Sequence, residues 1–277
     1  MEWDKIVKSI QDVIEQIREE YVIKNIIFRD DVFRILEKYC TVLYYPIQEE
    51  KNCGFHIKKI VNNDLEDFVY INTAKPIEEQ VFTAAHELGH IWNVASEVWS
   101  KVGSKEPLSR KMEEDITNRF AAELLMPCDV FRTIFFKNMK DMGINDSKVK
   151  VDDLVRVIVI QMGDFMVPYE AVRKRLRETE IINNNVKDYL KKNQKEILKK
   201  VAIYSKDQNS RLESETMIKT IPGIRTLVER AAKIKSLDEV SLKKIKNDFD
   251  IQDITSKDEI LNIFLGENCD GQDGSID

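Results

Sequence analysis

The sequence has no membrane-spanning segment, no secretion signal and no paired cysteines. None of the apolar runs among its 277 residues is long enough to cross a bilayer. Residues 1–21 mix acidic and apolar side chains without an apolar signal-peptide core, which predicts a cytoplasmic protein without a membrane partner. The cysteines lie far apart without a CxxC pair, so free thiols are expected at Cys40, Cys53, Cys128 and Cys269.

An excess of positive charge is also missing. The net charge of −6 argues against a dedicated nucleic-acid binder. Residues 251–277 contain one lysine and seven acidic residues, and we interpret this stretch as a frayed acidic tail. Hydrophobic residues make up 43% of the chain, which is enough to bury a sizeable core.

The hydrophobic pattern changes period twice along the chain. Apolar residues at helical spacing predict helices first, and short stretches rich in Val, Ile, Tyr and Phe then predict three strands. The expected strands cover residues 41–45, 54–60 and 67–72. The expected helices cover residues 1–21, 29–39, 76–96, 109–126, 154–162 with a break at Gly163, and 168–177. Residues 154–162 also fit a strand, but their flanks favour a helix. Charged helices and polar linkers, such as residues 207–210, fill the rest, so the pattern predicts an α+β, mostly α fold.

Two of the three histidines form the segment His86-Glu87-Leu88-Gly89-His90 on an expected helix. Residues four apart share a helix face, so both imidazoles can bind one Zn²⁺. Glu87 points elsewhere around the helix and can reach a metal-bound water as a general base. Glycine is unfavourable inside a helix, and a close approach by another segment would explain Gly89.

A catalytic zinc site needs a third protein ligand and an open position for water. His56 is the remaining histidine, but an isolated strand histidine is more often structural. The next expected helix offers Glu113 and Glu114, which geometry alone does not separate. Glu114 and Asn118 share a face at i, i+4 spacing, so Asn118 can hydrogen-bond to a ligand.

Two segments together resemble the ImmA/IrrE family of metallo-endopeptidases. The first is QVFTAAHELGHI, residues 80–91, and the second is EDITNRFAAELLMP, residues 114–127. The second resembles the family pattern E-x-x-A-N-x-F-A-x-x-L-L-M-P, with Thr117 in place of the usual alanine. The resemblance is strong over about residues 66–130 and moderate to about 180. It implies Glu114 as the third ligand, beside His86 and His90, with Asn118 behind it.

The resemblance also implies an organisation in three parts. Residues 1–130 are expected to form the zinc peptidase core, zincin-like, with its sheet packed on the HExxH helix. Residues 131–184 would be a helix-turn-helix-like segment, and residues 185–277 a helical region of unassigned role with the acidic tail. The second part contains basic residues that could face phosphates, although a solvated basic face is favoured. These residues are Arg173, Lys174, Arg175 and Arg177.

The function expected from these features is a zinc-dependent endopeptidase, with Mn²⁺ considered as an activator. The resemblance implies limited cleavage of a cytosolic helix-turn-helix repressor of a phage-like, mobile-element or stress regulon. The strand at residues 67–72 is interpreted as a pairing partner for an extended substrate. The alternative is a regulatory protein- or DNA-binding module in which the metal site is not catalytic. Direct DNA binding is not favoured, because the chain is acidic.

We predict that deleting residues 267–277 leaves folding and zinc binding unchanged, because this segment has too few apolar residues to pack against a core. Thermal unfolding and zinc content of the truncated and full-length chains test this. A large fall in melting temperature would show instead that the tail is docked.

Overall fold

The computed structural model describes residues 2–20, 27–49, 52–61, 63–144, 149–207, 212 and 214–252. Contacts divide the chain into two compact units, Met1–Pro222 and Gly223–Asp277. Three features of the sequence lie outside the described residues. They are residues 208–210 of the expected linker, Cys269 and the acidic tail beyond residue 252. The boundaries expected at residues 130 and 184 stay a prediction.

Helices make up most of the described chain, and one small sheet lies toward the N-terminal end of the sequence, which confirms the α+β, mostly α class. The strands are β1 (Thr41–Tyr45), β2 (Gly54–Val61) and β3 (Asp64–Asn72). The helices of the first unit are α1 (Glu2–Glu20), α2 (Asp31–Leu36), α3 (Ile77–Ile91), α4 (Val94–Val102), α5 (Arg110–Leu125), α6 (Cys128–Asp141), α7 (Val151–Phe165), α8 (Tyr169–Glu178), α9 (Asn184–Lys192) and α10 (Gln194–Asp207). The second unit contains α11 (Ile224–Lys233) and α12 (Glu239–Asp248). None of these helices combines the length and apolarity that crossing a bilayer requires.

The sheet has the order β1-β3-β2, with β3 in the centre. β3 pairs in parallel with β1 and antiparallel with β2. Both edges of β3 are therefore occupied, and the interpretation of residues 67–72 as a pairing partner for substrate is wrong. The outer edge of β1 is also engaged, since the backbones of Tyr44 and Thr220 exchange hydrogen bonds of 2.9 and 2.8 Å. Within the described residues, the outer edge of β2 has no strand partner.

The positions of two helix breaks differ from the sequence-based prediction. The helix expected over residues 76–96 is interrupted, because Asn93 adopts a left-handed conformation with φ 51° between α3 and α4. Asparagine tolerates this conformation better than most residues. The break expected at Gly163 is wrong, since α7 continues to Phe165 and ends at Met166, which has φ 52°. Gly163 keeps helical geometry inside α7, where a glycine lowers helix stability without ending the helix.

Two of the three arginines on the basic helix α8, Arg173 and Arg175, agree with neither interpretation. Arg173 is 5% exposed and Arg175 is 1% exposed, so neither forms a solvated face or presents itself to phosphate. Arg173 pairs with Glu170, and Arg175 pairs with Glu123 of α5. Of the four basic residues, Lys174 remains well exposed.

Helix α3 lies between the sheet and α5, which brings the two predicted motif helices into contact. A Cβ atom at Gly89 would lie 2.9 Å from Phe120 Cδ1 and 2.9 Å from Thr117 Cγ2. Both of these α5 residues are fully buried, so neither side chain is free to move away. The predicted close approach at Gly89 is confirmed, and glycine allows the two helix axes to come this near.

We predict that Gly89→Ala lowers the free energy of unfolding by roughly 1–3 kcal/mol, because the added methyl group overpacks the contact with α5. The matched control is Gly163→Ala in α7, where the nearest atom to the new Cβ is Leu212 Cδ1 at 4.0 Å. That substitution should raise stability by up to about 1 kcal/mol through helix propensity alone. Urea unfolding of both variants tests the pair. Equal stabilisation by both substitutions would contradict the close-contact account.

Candidate metal centre

Helix α3 brings the imidazoles of His86 and His90 together on one face. The two residues are one helical turn apart, and their Nε2 atoms are separated by 3.1 Å. The rings meet edge to face, with an interplanar angle of 73° and centroids 4.8 Å apart. The predicted shared orientation of the two histidines is therefore present.

Helix α5 contributes a carboxylate to the same place. Glu114 Oε2 lies 3.3 Å from His86 Nε2, and Glu114 Oε1 lies 3.9 Å from His90 Nε2. The ligand atoms of His86, His90 and Glu114 all lie within 4.8 Å of one another. Glu113 instead approaches the outer nitrogen of His90, with Oε1 3.6 Å from Nδ1. The geometry thus distinguishes Glu114 from Glu113 as the candidate ligand, which the spacing of residues on α5 did not do.

The donor set and its spacing fit a metal ion. Donors about 2.0–2.1 Å from a tetrahedral Zn²⁺ lie roughly 3.3–3.4 Å from each other. The His86–His90 and His86–Glu114 separations, 3.1 and 3.3 Å, are close to that value. Two imidazoles and one carboxylate are typical of catalytic zinc sites, which keep their fourth position for water.

Side chains beside the candidate ligands hold the imidazoles in place. Asn118 of α5 lies beside His86, where a side-chain hydrogen bond from it acts to raise the pKa of that imidazole. Burial, followed by the nearby His90, lowers the pKa of His86, although Glu114 and Asn118 act in the opposite direction. A lowered pKa keeps His86 neutral at pH 7, and this is the form that binds a metal. Glu113 is the corresponding neighbour of His90, and sequence reasoning did not identify this role.

Glu87 lies between the two histidines in sequence and is 5% exposed. Burial raises its pKa to about 7, and the negative charge of Glu114 adds to the increase. These effects arise from the protein alone, and a bound divalent cation would oppose them. A carboxylate with a pKa near neutrality is well suited to accept and return a proton.

His56 lies in the sheet, where it contacts Asp67. Its Nε2 lies 2.5 Å from Asp67 Oδ1, in the pairing of β2 with β3. It is not part of the group formed by His86, His90 and Glu114. The expectation that this strand histidine is structural agrees with its position.

A cavity of about 670 Å³ lies along α3 and α5, and its lining does not include His86, His90 or Glu114. Thr83 of α3 and Asn118 of α5 line it, and Asn118 also contacts His86. Cys53, directly before β2, lines another part. The cavity therefore extends from Asn118 on α5 to Cys53, at the start of the strand with an open edge.

Comparison with protein families matches residues 38–177 to the IrrE N-terminal-like domain, Peptidase M78. This span is slightly more than half of the 277 residues, and it contains the whole of α3, α5 and all but the last residue of α8. A search of curated proteins gives no match to the chain.

We predict different metal affinities for two isosteric substitutions on adjacent residues of α5. Glu114→Gln removes the carboxylate that lies near both Nε2 atoms, so zinc retention should be lost. Glu113→Gln leaves the three donors intact and should weaken binding by roughly 10–100-fold, because it removes a neighbour of a ligand. Competition with a chromogenic zinc chelator measures both affinities. The assignment of Glu114 fails if the Glu113 variant is the weaker binder.

Proposed function

The chain belongs to the Peptidase M78 family of IrrE N-terminal-like domains, and on that premise we propose that it is a zinc-dependent endopeptidase. The observation that carries this proposal is the convergence of His86, His90 and Glu114 within 4.8 Å. The buried carboxylate of Glu87 lies on α3, the helix that carries the two histidines. Three protein donors beside a proton-accepting carboxylate form the minimal set for metal-assisted peptide hydrolysis.

Each of these side chains has a distinct role in the proposed reaction. His86, His90 and Glu114 would hold the ion, which supplies Lewis acidity toward water and the scissile carbonyl when bound. Glu87 accepts a proton from the attacking water and passes it to the leaving amine. Asn118 and Glu113 keep the imidazoles oriented through their contacts with His86 and His90.

We infer that the substrate enters as an extended segment along β2. The outer edge of β2 has unpaired backbone groups within the described residues, and such an edge can add a peptide strand. Its first residue, Gly54, lies against α3, where a Cβ would be 2.7 Å from Thr83 Cγ2. A peptide paired with this part of β2 therefore runs beside the cavity that Cys53, Thr83 and Asn118 line.

The proposed substrate is one cytosolic helix-turn-helix repressor, encoded near this gene in a phage-like, mobile-element or stress regulon. The support for this is the resemblance of residues 80–91 and 114–127 to the ImmA/IrrE motifs. An endopeptidase that works among a cell's own proteins also needs a narrow substrate requirement. The identity of the ion, Zn²⁺ with Mn²⁺ as an activator, belongs to the same proposal.

We predict one discrete cut when the protein, Zn²⁺ or Mn²⁺ and the neighbouring repressor are incubated together, with fragments identified by mass. Glu87→Gln should abolish the cut while the protein retains its zinc, because the substitution removes a base and leaves the three ligands intact. His90→Ala should lose both the cut and the metal.

Other outcomes would contradict parts of this account. Loss of zinc from the Glu87→Gln protein would overturn the assigned roles. Rapid digestion of casein would indicate a broad housekeeping peptidase. Repressor binding without cleavage under any metal condition would favour the regulatory binding module.

A further inference from the structure

Four charged side chains form a closed ring between α5 and α8. Arg119 and Glu123 belong to α5, and Arg175 and Glu178 belong to α8. Glu123 accepts contacts of 2.7 Å from Arg119 and 2.5 Å from Arg175. Glu178 lies 3.0 Å from Arg119 and 3.3 Å from Arg175. The ring contains two positive and two negative groups, so its charges balance.

The ring is anchored most firmly at Arg175. Both of its terminal nitrogens donate to the carboxylate of Glu123, at 2.7 and 2.5 Å. Its Nε donates to the carbonyl oxygen of Met126 at 2.8 Å. Met126 follows the last residue of α5, and its carbonyl has no partner within that helix. One guanidinium of α8 therefore fixes both a side chain and the C-terminal end of α5.

Burial of these charged side chains costs free energy, because they lose their hydration. The ion pairs that they form restrict the orientation of the helices they join. The side chains of Arg175 and Glu123 are 1% and 3% exposed. Buried ion pairs often add little net stability compared with apolar side chains of similar volume. A role in holding α5 in one orientation explains the ring better than a contribution to stability alone.

The helix that the ring fixes carries the third candidate ligand. Arg119 directly follows Asn118, which influences the pKa of His86. Glu114 lies nine residues before Glu123 on the same helix. The close contact with Gly89 holds the middle of α5 against α3. The position of Glu114 relative to the histidines thus depends on that contact and on the fixed end of α5.

We propose that Arg175 is a positioning residue of the metal centre, acting through the ring with Glu123, Arg119 and Glu178. Arg175, in the basic segment of α8, then supports the peptidase site and does not contact phosphate. The proposal rests on the proposed function, because it assumes that His86, His90 and Glu114 bind a metal ion.

The test compares wild-type protein with the double variant Glu123→Gln/Arg175→Met, which removes one charge of each sign and leaves Arg119 and Glu178 paired. The control is Lys174→Met, one residue earlier on α8, whose side chain is 63% exposed. Zinc affinity by chelator competition and the visible absorption spectrum of the Co²⁺-loaded proteins are measured. Circular dichroism of the metal-free proteins identifies the variants that remain folded.

We expect a folded double variant to bind zinc roughly 10–100-fold more weakly, as for other residues behind metal ligands. Its Co²⁺ spectrum should change, because the ligand geometry changes, and the control should match wild type in both measurements. Wild-type affinity and spectrum in the folded double variant would overturn the proposal.

A second variant decides the question if the double variant does not fold. Arg175→Lys keeps the charge but replaces the planar fork by a single donor group. We expect it to weaken zinc binding and shift the Co²⁺ spectrum in the same direction, and unchanged values would overturn the positioning role. If wild-type protein binds no metal, the metal centre itself is rejected. If the wild-type protein binds zinc and the variants bind it equally well, only the role of Arg175 is rejected.

Discussion

The contact of α3 with α5 at Gly89 is the constraint on which the candidate site depends. The ligands come from two helices, and their atoms meet only if the helix axes approach closely. Gly89 permits this because a Cβ there would lie 2.9 Å from buried atoms of Thr117 and Phe120. Thr117 occupies a position where the family pattern has alanine, and its hydroxyl is satisfied within its own helix by donating to the Glu113 carbonyl at 2.9 Å. The larger residue is thus accommodated without an unpaired polar group at the contact.

The electrostatics of the site suit a bound cation. Two carboxylates, Glu87 and Glu114, lie close enough for the charge of one to raise the pKa of the other. The pKa shifts of Glu87 and His86 arise from burial and from the mutual effects of neighbouring site residues. The buried arginines nearby are paired with Glu123 and Glu178 in a neutral ring. A divalent ion bound at the three donors would offset the negative charge of Glu87 and Glu114.

Local patterns predicted the parts of this structure that depend on neighbouring residues. The i, i+4 spacing of His86 and His90 predicted their shared face, and the bounds of β1 were predicted correctly. Features set by distant residues were not predictable in this way. The central place of β3 depends on pairing with β1 and β2, and Arg175 looked exposed because its partner, Glu123, is 52 residues away. The left-handed Asn93 had no distinguishing signal, since asparagine also occurs inside helices.

X-ray absorption at the zinc edge of the full-length, zinc-loaded protein tests the central claim most directly. The account predicts one zinc per chain, with two imidazole nitrogens and oxygen ligands from Glu114 and solvent. A zinc bound by sulfur or by four nitrogen and sulfur ligands from the protein would contradict an open three-ligand centre at the crossing of α3 and α5. Failure of the metal-free protein to take up any zinc would contradict the centre itself.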